Sequence, residues 1–116
     1  MDRVTLEMLG PGTALVSLSG EHELYGAAKL QERIDSLIAD DLAVVVDLTD
    51  AMFLDSSIVS VLLKSQRFAA SRGCDYTVVL GDTTGASVRS MFELTGLDAI
   101  LPVVERDGAP PSSSSS

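Results

Sequence analysis

The chain has 116 residues, of which 46% are hydrophobic and 22% are charged, a size and composition that fit one folded domain and exclude a wholly disordered chain. Its 17 acidic and 8 basic residues give a formal net charge of −9. This excess of negative charge argues against binding to nucleic acid or to an anionic membrane surface, because both depend on Lys and Arg.

The first elements predicted are a β-hairpin and a helix. Hydrophobic and polar residues alternate in 4–9 and again in 13–19, with the turn sequence Gly-Pro-Gly between them. We expect Gly20 to end the second strand. Apolar residues then recur at helical spacing, which predicts an amphipathic helix of about three turns with Ala27, Leu30, Ile34, Leu37 and Ile38 on its apolar face.

The middle of the chain predicts a strand and a second helix. The aliphatic run 43–46 is typical of a strand covered on both faces, parallel to the strand before the first helix. The short apolar segment 52–54 predicts a buried loop or a distorted strand. Asp55, Ser56 and Ser57 then provide helix N-cap chemistry ahead of an apolar stripe at Ile58, Val61, Leu62 and Phe68.

The remaining elements complete a β-β-α-β-α-β-α-β order. Residues 76–80 predict a strand, 88–94 a helix that Gly96 ends, and 100–104 a short edge strand. We therefore expect an α/β fold with a mixed sheet of four to five strands and about three helices in a domain of residues 1–106. The Pro/Ser-rich residues 107–116 are predicted to form a disordered tail.

Polar side chains cluster where two neighbouring strands of this sheet end. Loops at the carboxyl ends of parallel strands share one edge of a sheet, where ligands of α/β proteins bind. That edge would hold carboxylates, two serines and the single histidine: Glu21, His22, Glu23, Asp47, Asp50, Asp55, Ser56 and Ser57.

Two catalytic interpretations of this edge stay open. Ser56, His22 and either Glu21 or Glu23 could form a hydrolytic triad, although no Gly-x-Ser-x-Gly motif surrounds Ser56. Clustered carboxylates could instead hold Mg²⁺ in a phosphoryl-receiving site. The acid pair and the lysine that response-regulator receiver domains place on their first and last strands have no counterpart here.

A third interpretation is a phosphorylation switch on a docking surface. A phosphate on Ser56 would gain from the free N–H groups and dipole of the helix that follows, and would be repelled by the neighbouring carboxylates. Val59 and Leu63 lie beside the apolar stripe of that helix. Partly exposed, they would form a protein interface next to Ser56; the alternative is that the buried face of the helix is wider.

Three segments in order resemble STAS domains, the family of bacterial anti-sigma factor antagonists. Residues 18–21 resemble the Gly-Glu-x-Asp turn of the family. Residues 44–48 followed by 53–57 resemble its strand, loop and phosphorylatable Asp-Ser-Ser/Thr-Gly segment, and 89–97 resemble its third helix. The resemblance covers roughly residues 4–104. Ile58 stands where the motif has glycine, His22 where the family usually has an apolar residue and Glu23 where it usually has Asp; the final helix of the family is not apparent.

The resemblance implies a non-enzymatic partner-switching module without a cofactor of its own. The unphosphorylated antagonist would bind a GHKL-type anti-sigma factor that is also a serine kinase, and a sigma factor would be released. The kinase, which supplies the nucleotide and Mg²⁺, would phosphorylate Ser56, and a serine phosphatase would reverse this. The implied docking residues are Glu21, Glu23, Asp55, Ser57 and Ile58, to which the helix spacing adds Val59 and Leu63 and the position in the turn adds His22.

The resemblance also sets expectations for assembly and location. We expect a bacterial cytoplasmic protein that is a monomer or weak homodimer and that neither binds nucleic acid nor inserts into a membrane. Other STAS domains are scaffolds or subunits of transporters, so an unphosphorylated interaction module is the alternative function.

Overall fold

Six strands and four helices make up residues 3–22 and 24–106, the part of the chain that the computed structural model describes. The predicted tail, 107–116, lies outside the described residues, and so does Glu23. In chain order the elements are β1 (Arg3–Gly10), β2 (Thr13–His22), α1 (Leu24–Ala39), β3 (Ala43–Asp47), β4 (Ala51–Leu54), α2 (Ser56–Ser71), β5 (Tyr76–Gly81), α3 (Ala86–Thr95), α4 (Leu97–Ile100) and β6 (Val103–Arg106).

The strands form one mixed sheet in the order β1-β2-β3-β5-β6. β1 and β2 are the predicted antiparallel hairpin, and the pairings β2–β3, β3–β5 and β5–β6 are parallel. The predicted α/β class and mixed sheet are confirmed. The short helix α4 comes in addition to the expected set, and β4 lies where the sequence offered a distorted strand as one of two alternatives.

The core lies between one face of the sheet and the helices. Alternate strand residues that include Val16, Val44 and Val78 are fully buried against the apolar faces of α1, α2 and α3. On β3, Val44 and Val46 are buried while Val45 is only half-buried. The prediction that both faces of this strand are covered is therefore wrong, because its residues alternate between a buried and a partly exposed face.

Gly20 does not end β2, contrary to the prediction from the sequence. Its φ of 82° lies in the left-handed region that glycine adopts readily, and its N–H donates to the Asp50 carbonyl at 3.0 Å. An irregularity in the register between Gly20 and Glu21 lets the strand continue beside a new partner, β4. β2 therefore pairs with β3 along its first half and with β4 at its end.

The loop before α3 holds the loop before β4 in place. The Thr84 hydroxyl donates to the Leu48 carbonyl at 3.0 Å, and it accepts from the Gly81 N–H at 2.8 Å. The Thr83 hydroxyl lies 2.8 Å from the Asp50 carboxylate. These bonds join the carboxyl ends of β3 and β5, so the start of β4 has a fixed position.

None of the helices in the described ranges is long and apolar enough to cross a lipid bilayer.

Candidate partner-docking site around Ser56

Asp55 sets the start of α2. Its backbone is extended, with φ of −88°, and its side chain accepts from the N–H groups of Ser57 at 3.0 Å and Ile58 at 3.3 Å. The same carboxylate oxygen accepts the hydroxyl of Ser57. Asp55 is therefore an N-cap residue that satisfies donors which the first turn of a helix leaves unpaired.

The two serines that follow Asp55 differ in their availability. The Ser57 side chain is half-buried and its hydroxyl bonds to Asp55. Ser56 is exposed at the first position of the helix, and its hydroxyl makes no hydrogen bond with the described residues. Of the two hydroxyls, that of Ser56 is open to a modifying enzyme.

The cap also determines what a phosphate on Ser56 would meet. A phosphate at a helix N-terminus is usually favoured by free N–H groups. Here the Asp55 carboxylate already accepts two of those donors. The phosphate would add about −1.5 to −2 charges beside that carboxylate, so its main effect is a local increase in negative charge on the surface.

Two exposed apolar side chains lie on β4, next to Ser56 in the chain. Met52 is 52% exposed and Phe53 is 39% exposed, while Ala51 and Leu54 at the ends of the strand are buried. Of the two alternatives predicted for 52–54, the distorted strand is confirmed by β4, and the buried loop is wrong. Two central residues that both face outward break the alternation of a regular strand, and no pattern in so short an apolar run distinguishes this from burial.

The end of β2 borders the same site. Glu21 is exposed and is the register partner of Phe53 on β4. The Asp55 N–H donates to the His22 carbonyl at 3.1 Å, which fixes the loop before Ser56 to the end of β2. We call the exposed side chains of Glu21, Met52, Phe53 and Ser56 the Ser56 surface.

Two of the predicted docking residues are buried instead. His22 is 7% exposed and its Nε2 lies 2.9 Å from the Ser19 carbonyl oxygen. Ile58 is 0% exposed and belongs to the core. Contact of these side chains with a partner stays a prediction and would require them to become exposed, because the third position of α2 and the last position of β2 both point inward.

The other predicted docking residues divide into two groups. Val59 and Leu63 are half-buried and pack against the core, so the buried face of α2 is wider than its central stripe and still leaves part of each side chain accessible. Asp55 and Ser57 lie at the site, but their polar atoms bind each other. Glu23 lies outside the described residues.

The arrangement does not support the two catalytic interpretations. Within 3–22 and 24–106, no hydrogen bond joins Ser56 to His22, whose Nε2 is bonded to Ser19. The carboxylates act separately: Asp47 accepts from Thr49 and pairs with Arg106 at 3.0 Å, and Asp50 accepts from Thr83. No cluster of three or more His, Cys, Asp or Glu side chains that could hold a metal occurs in these ranges.

The domain has a mixed sheet with helices packed on one face and an exposed serine at the start of its second long helix. Residues 8–104 match the family model described as “Mlab, STAS domain”. This match spans most of the chain, and the chain belongs to the STAS domain family. The resemblance inferred from three sequence segments is confirmed.

The relatives include proteins named as anti-sigma factor antagonists. RsfB of Mycobacterium tuberculosis, an anti-sigma-F factor antagonist, is 36% identical over 89 residues, which cover 75% of this chain and 69% of RsfB. A crystal structure of an anti-sigma factor antagonist from Mycobacterium paratuberculosis has a TM-score of 0.75 at 29% identity and covers 89% of this chain and 85% of that one. Unphosphorylated SpoIIAA shares the fold, with a TM-score of 0.77 at 20% identity over 95% of this chain and 90% of its own.

Proposed function

We propose that this chain is an anti-sigma factor antagonist that acts by partner switching. Its unphosphorylated form binds a GHKL-type anti-sigma factor in the bacterial cytoplasm, and the sigma factor bound to that protein is released. The anti-sigma factor, also a serine kinase, phosphorylates Ser56 and thereby ends the complex; a serine phosphatase restores binding. The names of RsfB and of the Mycobacterium paratuberculosis protein support this role.

The observation that carries the proposal is the difference between the two adjacent serines. Ser56 is exposed with an unengaged hydroxyl, whereas Ser57 is half-buried and bonded to Asp55. A kinase must reach a hydroxyl oxygen and remove its proton, and at this helix start only Ser56 presents one without breaking the cap. The geometry of the cap therefore supports Ser56 as the proposed acceptor.

The exposed apolar residues of β4 give the partner its contact. Met52 and Phe53 are exposed four and three residues before Ser56, and aromatic residues and Met are enriched at protein interfaces. A phosphate on Ser56 would place a strongly hydrated dianion next to these side chains. Because a partner would have to desolvate that charge, phosphorylation weakens docking without unfolding the domain.

The first test is phosphorylation with candidate GHKL-type kinases from the same organism and Mg-ATP. Intact-mass spectrometry should show one added phosphate, and peptide mapping should place it on Ser56. The Ser56→Ala variant should take no phosphate and stay bound. The matched variant Ser57→Ala should still be phosphorylated, because it leaves the acceptor hydroxyl intact.

The outcomes separate the proposed function from its alternative. A phosphate on Ser57 instead of Ser56 would overturn the assignment of the acceptor. Stable binding to a kinase without any phosphate would indicate a constitutive antagonist, and absence of both would favour a scaffold or a transporter subunit. Ser56→Asp should weaken binding of the same kinase; if it binds as tightly as Ser56→Ala, charge at this position does not control docking.

A further inference from the structure

The outer edge of β1 has no strand beside it in the described part of the chain. β1 is the first strand in the sheet order and pairs only with β2. Its register is regular from Arg3 to Met8, and the irregularity comes only after that. An edge strand exposes unpaired N–H and C=O groups, and proteins usually protect such an edge with charged side chains, especially Lys, with Pro or with an early bulge. Residues 3–8 contain neither Lys nor Pro.

Apolar side chains remain exposed along this edge. Leu6 pairs with buried Val16, and Met8 pairs with buried Ala14, so both lie on the face of the sheet that the helices cover. Leu6 is nevertheless 44% exposed and Met8 is 48% exposed. An additional strand at the edge would remove part of this apolar surface from water.

The opposite face of β1 holds two charges of opposite sign. Arg3, Thr5 and Glu7 alternate with the apolar residues, and all three are exposed. Arg3 and Glu7 lie two positions on either side of Thr5. The spacing is therefore self-complementary. When a second β1 runs antiparallel with its Thr5 opposite this Thr5, Arg3 of one strand faces Glu7 of the other.

We infer that β1 pairs antiparallel with β1 of a second copy of this chain, with Thr5 on the two-fold axis. In this register Arg3 of each copy lies opposite Glu7 of the other, and Val4 lies opposite Leu6. Opposite charges and apolar pairs in directly facing positions stabilise antiparallel strands. The two sheets then join into one continuous sheet through an isologous contact.

The charges select both the occupant and the register. A shift of the pairing by one residue places Leu6 on the axis and Thr5 opposite Glu7, so both ion pairs are lost. An unrelated strand would need the same spacing of charges to match, whereas a second copy has it by construction. The contact covers about six residues per chain, below the size of a typical stable interface, so the dimer is weak and depends on concentration.

Sedimentation velocity of the full chain over a concentration series tests this interface. The wild-type protein should shift from monomer to dimer as its concentration rises. Arg3→Glu and Glu7→Arg should each weaken dimerisation roughly tenfold or more, because each places like charges opposite one another twice. Glu93→Arg, an exposed charge reversal on α3, should leave dimerisation unchanged.

The decisive sample is an equimolar mixture of Arg3→Glu and Glu7→Arg. In the mixed pair, two acidic residues of one strand face two basic residues of the other, so dimer formation should return. Wild-type protein that stays monomeric throughout the series would overturn the inference. A dimer that neither variant weakens, or a mixture that does not recover in variants whose thermal unfolding matches the wild type, would also overturn it.

Discussion

Gly85 packs directly against the backbone of Met52: a Cβ added at Gly85 would lie 2.5 Å from the Met52 carbonyl oxygen and 2.9 Å from its Cα. The Gly85 N–H also donates to the Ala51 carbonyl at 2.8 Å, and the Ser87 hydroxyl donates to the Met52 carbonyl at 2.9 Å. The start of α3 therefore packs against the backbone of β4. This contact holds the strand that carries Met52 and Phe53 of the Ser56 surface.

Replacing Gly85 with Ala should destabilise the domain. The new methyl group would meet backbone atoms of Met52 that no side-chain rotation can move, at a cost of about 1–3 kcal/mol in the free energy of unfolding. Gly26→Ala is the matched control, since its Cβ would meet nothing within 4 Å and the substitution in the first turn of α1 should not destabilise the domain. Urea denaturation measures both; an unchanged midpoint for Gly85→Ala would contradict the close contact.

The N-cap of α2 should contribute measurably to stability. Asp55→Ala leaves the N–H of Ser57 without its acceptor, so we expect a loss of about 1 kcal/mol in the free energy of unfolding. Asp55→Asn keeps an acceptor oxygen, so its loss in the free energy of unfolding should be only a few tenths of the loss expected for Asp55→Ala. Thermal and urea unfolding of the two variants make the comparison, and equal losses would show that the charge of Asp55, not its hydrogen bonds, is responsible.

Ile58 should behave as a core residue and not as a docking residue. Ile58→Ala creates a cavity under α2 and should cost about 2–5 kcal/mol in the free energy of unfolding. Val59→Ala, one position along, removes a half-buried side chain and should cost less than half as much. Partner binding by the folded fraction of Ile58→Ala should be close to wild type. Lost binding without lost stability would place the side chain in the interface after all.

Phe53 should be a hot spot of the proposed interface. It is 39% exposed on β4, so Phe53→Ala should raise the Kd of the folded protein for the anti-sigma factor about fivefold or more; loss of the buried part of the ring should also lower the free energy of unfolding. Leu94→Ala is the control, because Leu94 is 87% exposed on α3 and is not part of the Ser56 surface. Isothermal titration calorimetry measures the Kd of both variants, and a similar loss of affinity for both would mean that the interface lies elsewhere.

Tyr76 should make the domain less stable in alkali. Burial raises the pKa of the Tyr76 phenol above its ordinary value of 10.0, and the hydroxyl donates to the Leu62 carbonyl at 3.0 Å. The folded state holds the proton more tightly than the unfolded state, so stability is retained below about pH 10 and falls as the pH rises beyond it.

Tyr76→Phe isolates this effect. The variant loses one hydrogen bond, worth about 1 kcal/mol at neutral pH, and has no phenol to titrate. The difference in the free energy of unfolding between the wild type and this variant should therefore shrink between about pH 9 and pH 11. The measurement is the urea midpoint of both proteins over that range. A constant difference would show that the phenol titrates alike in the folded and unfolded states.

The sequence predicts the long elements because their patterns are local. The β1–β2 hairpin and the apolar faces of α1 and α2 follow from periodicities of two and 3.6 residues, and the packing at Ile34 or Leu62 agrees with them. The position of Ser56 at a helix start follows from the cap residues before it. These predictions depend on neighbours within one or two turns of chain.

The features that the sequence does not reveal depend on contacts between distant segments. The sequence predicts a strand end at Gly20, and the continuation of β2 depends on its pairing with β4 and on the bond from Gly20 to Asp50. The local sequence around His22 and Ile58 does not indicate that they are buried at this site, because their burial depends on how β4 and α2 meet. The exposure of Met52 and Phe53 is likewise fixed by α3, which lies some thirty residues further along the chain.

The parallel pairing of the inner strands also constrains the order in which the chain can fold. The β1–β2 hairpin joins residues close in sequence, whereas the parallel pair Val44 and Tyr76 on β3 and β5 joins residues 32 positions apart. Closing such a long loop costs entropy before any contact repays it. We therefore expect the hairpin to assemble early and the parallel strands to pair later, so that the contacts between parallel strands slow unfolding more than they speed folding.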